Sequence, residues 1–452
     1  MNSLPQNVIL SRVMSKTFPG GIHPSEHKKR SKKEQIRKAA DPKIAVIPLC
    51  QHIGTPAEPL VNVGDIVKIG QPLGDSERYV SAAVHASIGG KIIAIEPRLT
   101  PFGAKVLSVV IENNGDQDVH PSVRPYPNFK DLSKTDIRKI IRGAGIVGLG
   151  GAAFPTRVKL QPPPDKVIKT IIINGAECEP YLTCDYRLLI EQPKKVILGL
   201  KAIMKPTDAL EGIIAIEDNK PEAITAIQKA IDEEVSHHNL RVAVLKTKYP
   251  QGAEKQLIKA ITKREVPSGG LPADVHCIVN NVGTAVAIAK ALTTGMPLIE
   301  RIVTVTGGSI SEPSNLLVRI GTPFSELVEQ CGGFLEEPTK IIMGGPLMGI
   351  SVPSIDVPVI KATSGILVPS KKELDDLEPE PCIRCAKCVD SCPQYLLPNL
   401  LGDASENDRF DLSKSYGALD CIECGVCSYV CPAKRNLVQL IKLSKNELLR
   451  KK

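Results

Sequence analysis

The chain has 452 residues, of which 42% are hydrophobic and 3% aromatic, with no tryptophan and a formal net charge of +8. These values describe a globular protein of about three or four domains, because single cores stop growing well below this size, and the scarcity of aromatics argues against stacking platforms for nucleic acid. No uninterrupted apolar stretch of about 18 residues occurs and the N-terminus has no signal-peptide core, so a soluble or peripheral protein is expected, not one that spans a membrane.

The first 40 residues carry a basic run, Lys28, Lys29, Arg30, Lys32, Lys33, Arg37 and Lys38. Such a run is expected to be a solvated, partly mobile arm, with anionic lipid headgroups or an acidic partner as its alternative ligands. From residue 41 to 120, short alternating apolar runs separated by Gly and Pro predict a small all-β unit, with strands at Ile44 to Pro48, Pro59 to Val63, Asp65 to Ile69, Gly90 to Glu96 and Val106 to Glu112. The phrases VNVGDIVKIGQPLG and VHASIGGKIIAIEP resemble the half-motifs of a lipoyl or biotinyl-carrier sandwich. That fold presents a modified lysine between its halves, whereas Asp75 to Val84 contains none, which leaves a scaffold or docking role.

At Ser133, a candidate N-cap, the periodicity becomes helical, with Ile137, Ile140 and Ile141 on one face and Gly143 as a stop. After Pro162 to Pro164, strands at Val167 to Asn174, Ile213 to Glu217, Arg241 to Leu245 and His276 to Val279 alternate with helices at Arg187 to Met204, Glu222 to Glu234 and Ala253 to Thr262. This alternation predicts an α/β layer on a largely parallel sheet, which collects ligands at the carboxyl ends of its strands. Residues 302 to 350 return to β-like, Gly-rich sequence with a helix at Phe324 to Gln330, and residues 370 to 381 read as an acidic linker.

The C-terminal segment holds one ligand pattern twice: Cys382, Cys385, Cys388 and Cys392 before Pro393, then Cys421, Cys424, Cys427 and Cys431 before Pro432. This spacing belongs to two-cluster ferredoxins, in which the fourth cysteine of each run ligates the other cluster. One [4Fe-4S] cluster is therefore assigned to Cys382, Cys385, Cys388 and Cys431, and the second to Cys421, Cys424, Cys427 and Cys392. Structural zinc is the competing reading, but zinc usually takes two separated ligand pairs. The remaining cysteines, Cys50, Cys178, Cys184, Cys277 and Cys331, are odd in number and scattered, which suggests a reducing compartment and not a disulfide framework. Cys178 and Cys184 lack nearby thiols or histidines and are expected to be buried or pocket-lining.

The segment Gly143 to Leu160, GAGIVGLGGAAFPTRVKL, has five glycines in nine residues, which points to backbone that closely approaches a planar or phosphorylated ligand. NGAECEPYLTCDYR and NNVGTA each follow a predicted strand, and YPQGAEKQLI precedes a predicted helix. Together these phrases resemble the FMN- and NADH-binding subunit of respiratory complex I. With FPGGIHP at Phe18 to Pro24, MGGPLMG, TSGIL and the doubled cysteine run, the chain more closely resembles the C subunit of the Rnf (Rsx) complex over nearly its whole length.

The resemblance implies a multidomain α/β protein: a basic arm (1–40), a barrel-sandwich domain (41–120), a Rossmann-like FMN/NADH domain (125–298), an SLBB-type β-grasp-like domain (299–369) and an α-helical two-cluster ferredoxin domain (370–452). It implies that Gly148, Gly150 and Gly151 line FMN, that Lys159 meets its phosphate or a ring oxygen, and that Phe154 stacks on NAD(H). Asn174, Glu177 and Glu179 match positions around the ribityl chain and ring, Asn280, Asn281 and Thr284 the phosphate end, and Glu254 an acid beside the dinucleotide. Two departures from the complex I pattern concern the nicotinamide pocket: Cys178 and Ala176 replace a glycine and an acid, and Leu149 replaces an arginine.

A flavin exchanges electron pairs with a nicotinamide and single electrons with clusters, so side chains need supply no acid, base or nucleophile. The implied partners are other Rnf-type subunits, including membrane-spanning ones and an iron-sulfur subunit, and ferredoxin through the complex. The implied location is the cytoplasmic side of the cell membrane. The competing functions are a microcompartment-type cobalamin reductase and a non-catalytic iron-sulfur relay and docking subunit.

Overall fold

The computed structural model describes residues 15–126, 128–234, 239–374 and 377–450. Residues 1–14 of the expected arm, 375–376 of the linker and 451–452 of the ferredoxin segment lie outside the described residues.

The alternating Val and Ile runs of the first unit fold as two antiparallel sheets. The larger is ordered Ile44–Pro48, Lys105–Asn113, Gly90–Leu99, Ile66–Val67, and the smaller Glu58–Pro59, Pro72–Asp75, Val84–His85. Period-two alternation buries Ala45, Ile47, Leu73, Ile92, Val109 and Ile111 between them. The stretch without a carrier lysine instead docks this unit: Asp75 accepts from both terminal nitrogens of Arg142 at 3.0 and 3.1 Å, and Arg142 also donates to the Ser76 carbonyl at 2.6 Å.

Helix Lys134–Gly143 begins at Ser133, whose hydroxyl accepts from the Asp136 N–H while the Asp136 carboxylate accepts from the Ser133 N–H, and it buries Ile137, Ile140 and Ile141. Beyond it lies a parallel sheet in the order Leu240–Leu245, Glu211–Glu217, Thr170–Gly175, Cys277–Asn281. The chain adds two strands on one side of Thr170–Gly175 and then returns to its other side. The topological switch point therefore lies between Thr170–Gly175 and Cys277–Asn281, where open α/β sheets hold their ligands. The single helix expected at Arg187 to Met204 is two helices, Cys184–Glu191 and Pro193–Thr207. Gln192 leaves helical geometry and Pro193, which has no N–H to continue the first helix, opens the second at a position where proline is favourable.

The third unit centres on a six-stranded sheet ordered Ile36–Lys38, Ser314–Arg319, Glu300–Thr306, Gly365–Leu367, Ile342–Met343, Ile350–Ser351. Its edge strand comes from the basic arm, which corrects the expectation of a mobile arm although most of its cations face solvent. Ile36–Lys38 pairs in parallel with Asn315–Leu317, and Arg30 donates to the carbonyls of Gly307 and Ile310, both at 2.8 Å. Lys28 is 5% exposed. Backbone acceptors and a buried carboxylate hold Lys28 and Arg30, so the arm is a seam between domains, while Lys29, Lys33 and Lys38 of the run stay exposed. The C-terminal unit is helical, with Pro398–Glu406, Phe410–Ser415 and Leu437–Arg450 packed around the cysteine loops.

Candidate functional site: a flavin crevice beside two cysteine nests

The glycine-rich loop doubles back on itself at the switch point. Val147 bridges Pro155, and the Gly148 N–H donates to the Phe154 carbonyl at 2.8 Å. The buried Thr284 hydroxyl, in the first turn of helix Val282–Thr294, accepts from the Leu149 N–H at 2.9 Å and pins the loop over the carboxyl end of Cys277–Asn281. A Cβ at Gly150 would lie 3.5 Å from that of Asn281, whereas one at Gly151 would meet nothing within 4 Å. The loop is thus packed on one side and open on the other.

Around the opening, Lys159 donates to Glu254 Oε1 and to the Val279 carbonyl, both at 3.1 Å. Asn174 donates from Nδ2 to the Gly252 carbonyl at 2.8 Å. Phe154 lies partly buried on the loop itself. Asn280 is 3% exposed and its Nδ2 has no partner among the described residues. A buried amide donor without an acceptor is costly, and a polyhydroxylated or phosphorylated ligand would supply one. The donor set therefore fits FMN: amides for ribityl hydroxyls, an ammonium for phosphate, and open backbone for a flat ring.

Other expected residues have their polar atoms committed within the protein. Asn281 caps its helix through the Gly283 N–H at 2.8 Å and donates to Asp185 Oδ2 at 2.6 Å. Glu177 caps helix Cys184–Glu191 by accepting from the Asp185 N–H at 2.7 Å, and it lies 3.7 Å from the Lys28 ammonium. Burial raises the Glu177 carboxyl to about 7 and lowers the Lys28 ammonium. Glu179 accepts from the N–H groups of Leu347 and Met348 at 3.1 and 2.8 Å. Sequence reasoning missed Lys28, Asp185 and Tyr249 as partners here. Asp185 sits within the NGAECEPYLTCDYR phrase and Tyr249 opens the YPQGAEKQLI phrase, whereas Lys28 looked like one more surface cation.

The cysteines form two groups, each around its own cavity. One is lined by Cys382, Cys385, Cys388 and Cys431, the other by Cys421, Cys424, Cys427 and Cys392. The two runs fold alike: Arg384 and Ala386 in one, and Glu423 and Gly425 in the other, have φ of 56°, 59°, 57° and 75°. These left-handed residues turn N–H groups toward the sulfurs, with Arg384 N–H to Cys382 Sγ at 3.4 Å and Glu423 N–H to Cys421 Sγ at 3.3 Å. Such nests suit anionic iron-sulfur clusters. Burial raises the Cys424 thiol to about 12, so metal binding there must displace a proton. Cys178 is no ligand in either group: its Sγ accepts from the Gly252 N–H at 3.3 Å, and burial raises its thiol to about 12.

The two nests differ in setting. Cys382 and Cys385 are exposed. The second nest abuts the arm and the flavin domain: the Gly21 N–H donates to the Ser391 carbonyl at 2.8 Å, Gln256 Nε2 to the Pro393 carbonyl at 3.1 Å, and the Tyr249 hydroxyl to the Cys424 carbonyl at 2.8 Å.

Four family matches tile the chain in order: the RnfC barrel sandwich hybrid domain at residues 16–116, the Nuo51 FMN-binding domain at 141–290, the SLBB domain at 302–351 and the 4Fe-4S dicluster domain at 375–432. A crystal structure of an NAD+-reducing [NiFe]-hydrogenase in the H2-reduced state shares the fold, with a TM-score of 0.50, 18% identity and coverage of 72% of this chain and 65% of that one. Fold and site define the class as an electron-transfer protein that joins a flavin domain to a dicluster ferredoxin domain.

The chain is 48% identical over 433 residues to the C subunit of the Na(+)-translocating ferredoxin:NAD(+) oxidoreductase complex of Acetobacterium woodii, covering 96% of this chain and 97% of that one. It is also 48% identical over 435 residues to the proton-translocating counterpart of Clostridium ljungdahlii, covering 96% and 94%. With the C subunit of the ion-translocating oxidoreductase complex of Vibrio cholerae it shares 42% over 398 residues, 87% of this chain and 51% of that longer protein. The chain belongs to the family of C subunits of Rnf-type ion-translocating ferredoxin:NAD oxidoreductase complexes.

Proposed function

We propose that this subunit exchanges hydride with NAD(H) at FMN held in the switch-point crevice, and passes single electrons through two [4Fe-4S] clusters to or from partner subunits of the complex. The observation that carries this reading is that one short segment joins the crevice to the nest of Cys421, Cys424, Cys427 and Cys392, Gly252 bonding Asn174 and Cys178 and Tyr249 bonding the Cys424 carbonyl, while Cys382 and Cys385 of the other nest are exposed. FMN, when bound, converts between two-electron and one-electron chemistry. The chain's own residues bind and orient. Gly148, Gly150 and Gly151 give the ring close backbone, Asn174 serves the ribityl chain, and Asn280 and Lys159 serve the phosphate end. Phe154 and Glu254 stand at the dinucleotide side, while Asn281, Thr284 and Glu177 hold the loop and the neighbouring helix ends in register.

Among the described residues no helix is long and apolar enough to cross a membrane. We propose that the protein is a peripheral member of the complex on the cytoplasmic side, with ion passage in membrane-spanning partners. Its equal identity to a sodium- and a proton-translocating relative accords with coupling chemistry that lies outside this chain.

The test is optical. The reconstituted full chain should show flavin bands above broad iron-sulfur absorption, and NADH should bleach both. Full NADH-dependent reduction of an artificial acceptor after FMN removal would overturn the proposal, and absence of flavin with intact clusters would favour the relay reading.

A further inference from the structure

The MGGPLMG motif, Met343 to Gly349, has no part in the flavin site, yet its N–H groups are not idle. It forms the hairpin between Ile342–Met343 and Ile350–Ser351, and its Leu347 and Met348 N–H groups donate to Oε2 and Oε1 of Glu179. A Cβ at Gly345 would lie 2.3 Å from Glu179 Oε2, so the hairpin backbone is pressed against that carboxylate. On the other side, Glu179 Oε1 lies 3.3 Å from the Tyr249 hydroxyl, which donates to the Cys424 carbonyl at 2.8 Å. The hairpin also touches the cysteine loop directly: a Cβ at Gly425 would lie 2.8 Å from the Leu347 carbonyl oxygen. Tyr249 is fully buried in an apolar cluster with Ile22, Cys424 and Val426, against which Cys178 and Leu347 pack. From there the contacts continue to the crevice, because Gly252 donates its N–H to Cys178 and accepts at its carbonyl from Asn174.

We propose that Glu179 and Tyr249, clamped by the Met343 to Gly349 hairpin, are positioning residues that fix the Cys421 to Cys427 loop against the flavin crevice, and that Glu179 acts on the cluster side and not as a flavin ligand. The proposal rests on the cofactor assignment above. Both carboxylate oxygens of Glu179 are occupied by protein donors, whereas the buried Asn280 amide has no partner among the described residues and is left for the cofactor. Groups that orient ligands from outside the coordination sphere control a site by holding its geometry. The flavin and SLBB domains meet at this carboxylate and the ferredoxin domain joins them through the Tyr249 hydroxyl, so the flavin-to-cluster geometry is set by tertiary contacts and not by the cysteine loop alone.

The experiment uses the full chain loaded with FMN and iron-sulfur clusters, as wild type, Glu179→Ala and Tyr249→Phe, the last keeping the ring and removing only the hydroxyl. FMN content, the electron paramagnetic resonance spectrum of each reduced cluster and the rate of cluster reduction after mixing with NADH are measured. The expected result is unchanged FMN stoichiometry and an unchanged signal from the Cys382 cluster. The signal from the Cys421 cluster should be altered and its reduction slowed roughly tenfold or more in both variants, the range seen when outer-shell partners are removed. Loss of FMN from Glu179→Ala with the Cys421 cluster signal intact would overturn the proposal, as would wild-type behaviour of both variants. A wild-type chain that binds no FMN would instead sink the functional reading, and the cluster signals of the variants would still decide the clamp.

Discussion

At the scale of single residues, the buried cations carry the most structural consequence. Lys28 donates to the carbonyls of Glu177 and Leu182 at 2.7 and 2.6 Å and stands beside the Glu177 carboxylate, whose side chain is 3% exposed. Removing one member of a buried pair leaves the other uncompensated. Lys28→Met should therefore cost about 3–5 kcal/mol in denaturant unfolding, and an unchanged midpoint would show that the pair is dispensable. Lys361, 1% exposed, donates to the carbonyls of Ala83 and Gly145 at 2.8 and 2.7 Å, joining the barrel sandwich to the start of the glycine loop. Burial lowers its ammonium to about 7, with Asp75 opposing the shift, and a neutral amine has the two N–H donors those carbonyls use. The unfolded chain keeps this lysine protonated to about pH 10.4. Between about pH 7 and 10 the unfolded state thus binds more protons, so this contribution to stability grows as pH rises and is lost as pH falls through about 7. Subtracting the unfolding free energies of Lys361→Met from those of wild type across this range should leave that positive slope. A flat difference would contradict it. The two groups of four cysteines were legible from spacing because such loops are local, whereas the burial of Lys28 and Lys361 was not, because a lysine's burial depends on what lands on it.

At the scale of elements, the strands at the switch point followed from alternation of apolar runs, and the Ser133 cap and its isoleucine face from helical periodicity. The helix expected through Gln192 did not survive Pro193, whose missing N–H and fixed φ outweigh a continuous apolar stripe. The second helix, Pro193–Thr207, crosses Val282–Thr294 so closely that a Cβ at Gly199 would sit 2.0 Å from the Ala285 carbonyl oxygen. That crossing seats the first turn holding Thr284, and with it the glycine loop. Gly199→Val should destabilise the domain by about 1–3 kcal/mol through overpacking, and should weaken FMN retention because the helix end moves with the crossing. Thermal unfolding with and without added FMN separates the two effects, and normal FMN retention in a destabilised variant would unlink the crossing from the site.

Across the whole molecule, the arm stitches three units. Lys16 bridges Leu245 at the edge of the flavin sheet, Gly21 bonds the Ser391 carbonyl beside the second nest, and Ile36–Lys38 extends the six-stranded sheet. The cysteine groups cross in the same spirit, with Cys392 in the nest of Cys421 and Cys431 in the nest of Cys382. Cys392→Ser should therefore abolish or convert the flavin-side cluster and Cys431→Ser the exposed one, read as loss of the corresponding paramagnetic signal. Loss of the cluster belonging to each residue's own run would refute the crossing. By itself the sequence determined the domain order, the two groups of four cysteines and the glycine loop, because these depend on periodicities and spacings within short stretches. Only the tertiary structure decided that the basic arm is an internal seam, that Glu179 faces the Met343 to Gly349 hairpin and that Tyr249 reaches the Cys424 carbonyl. Those contacts join residues tens to hundreds of positions apart, and burial and hydrogen bonding across domains leave no local pattern to read.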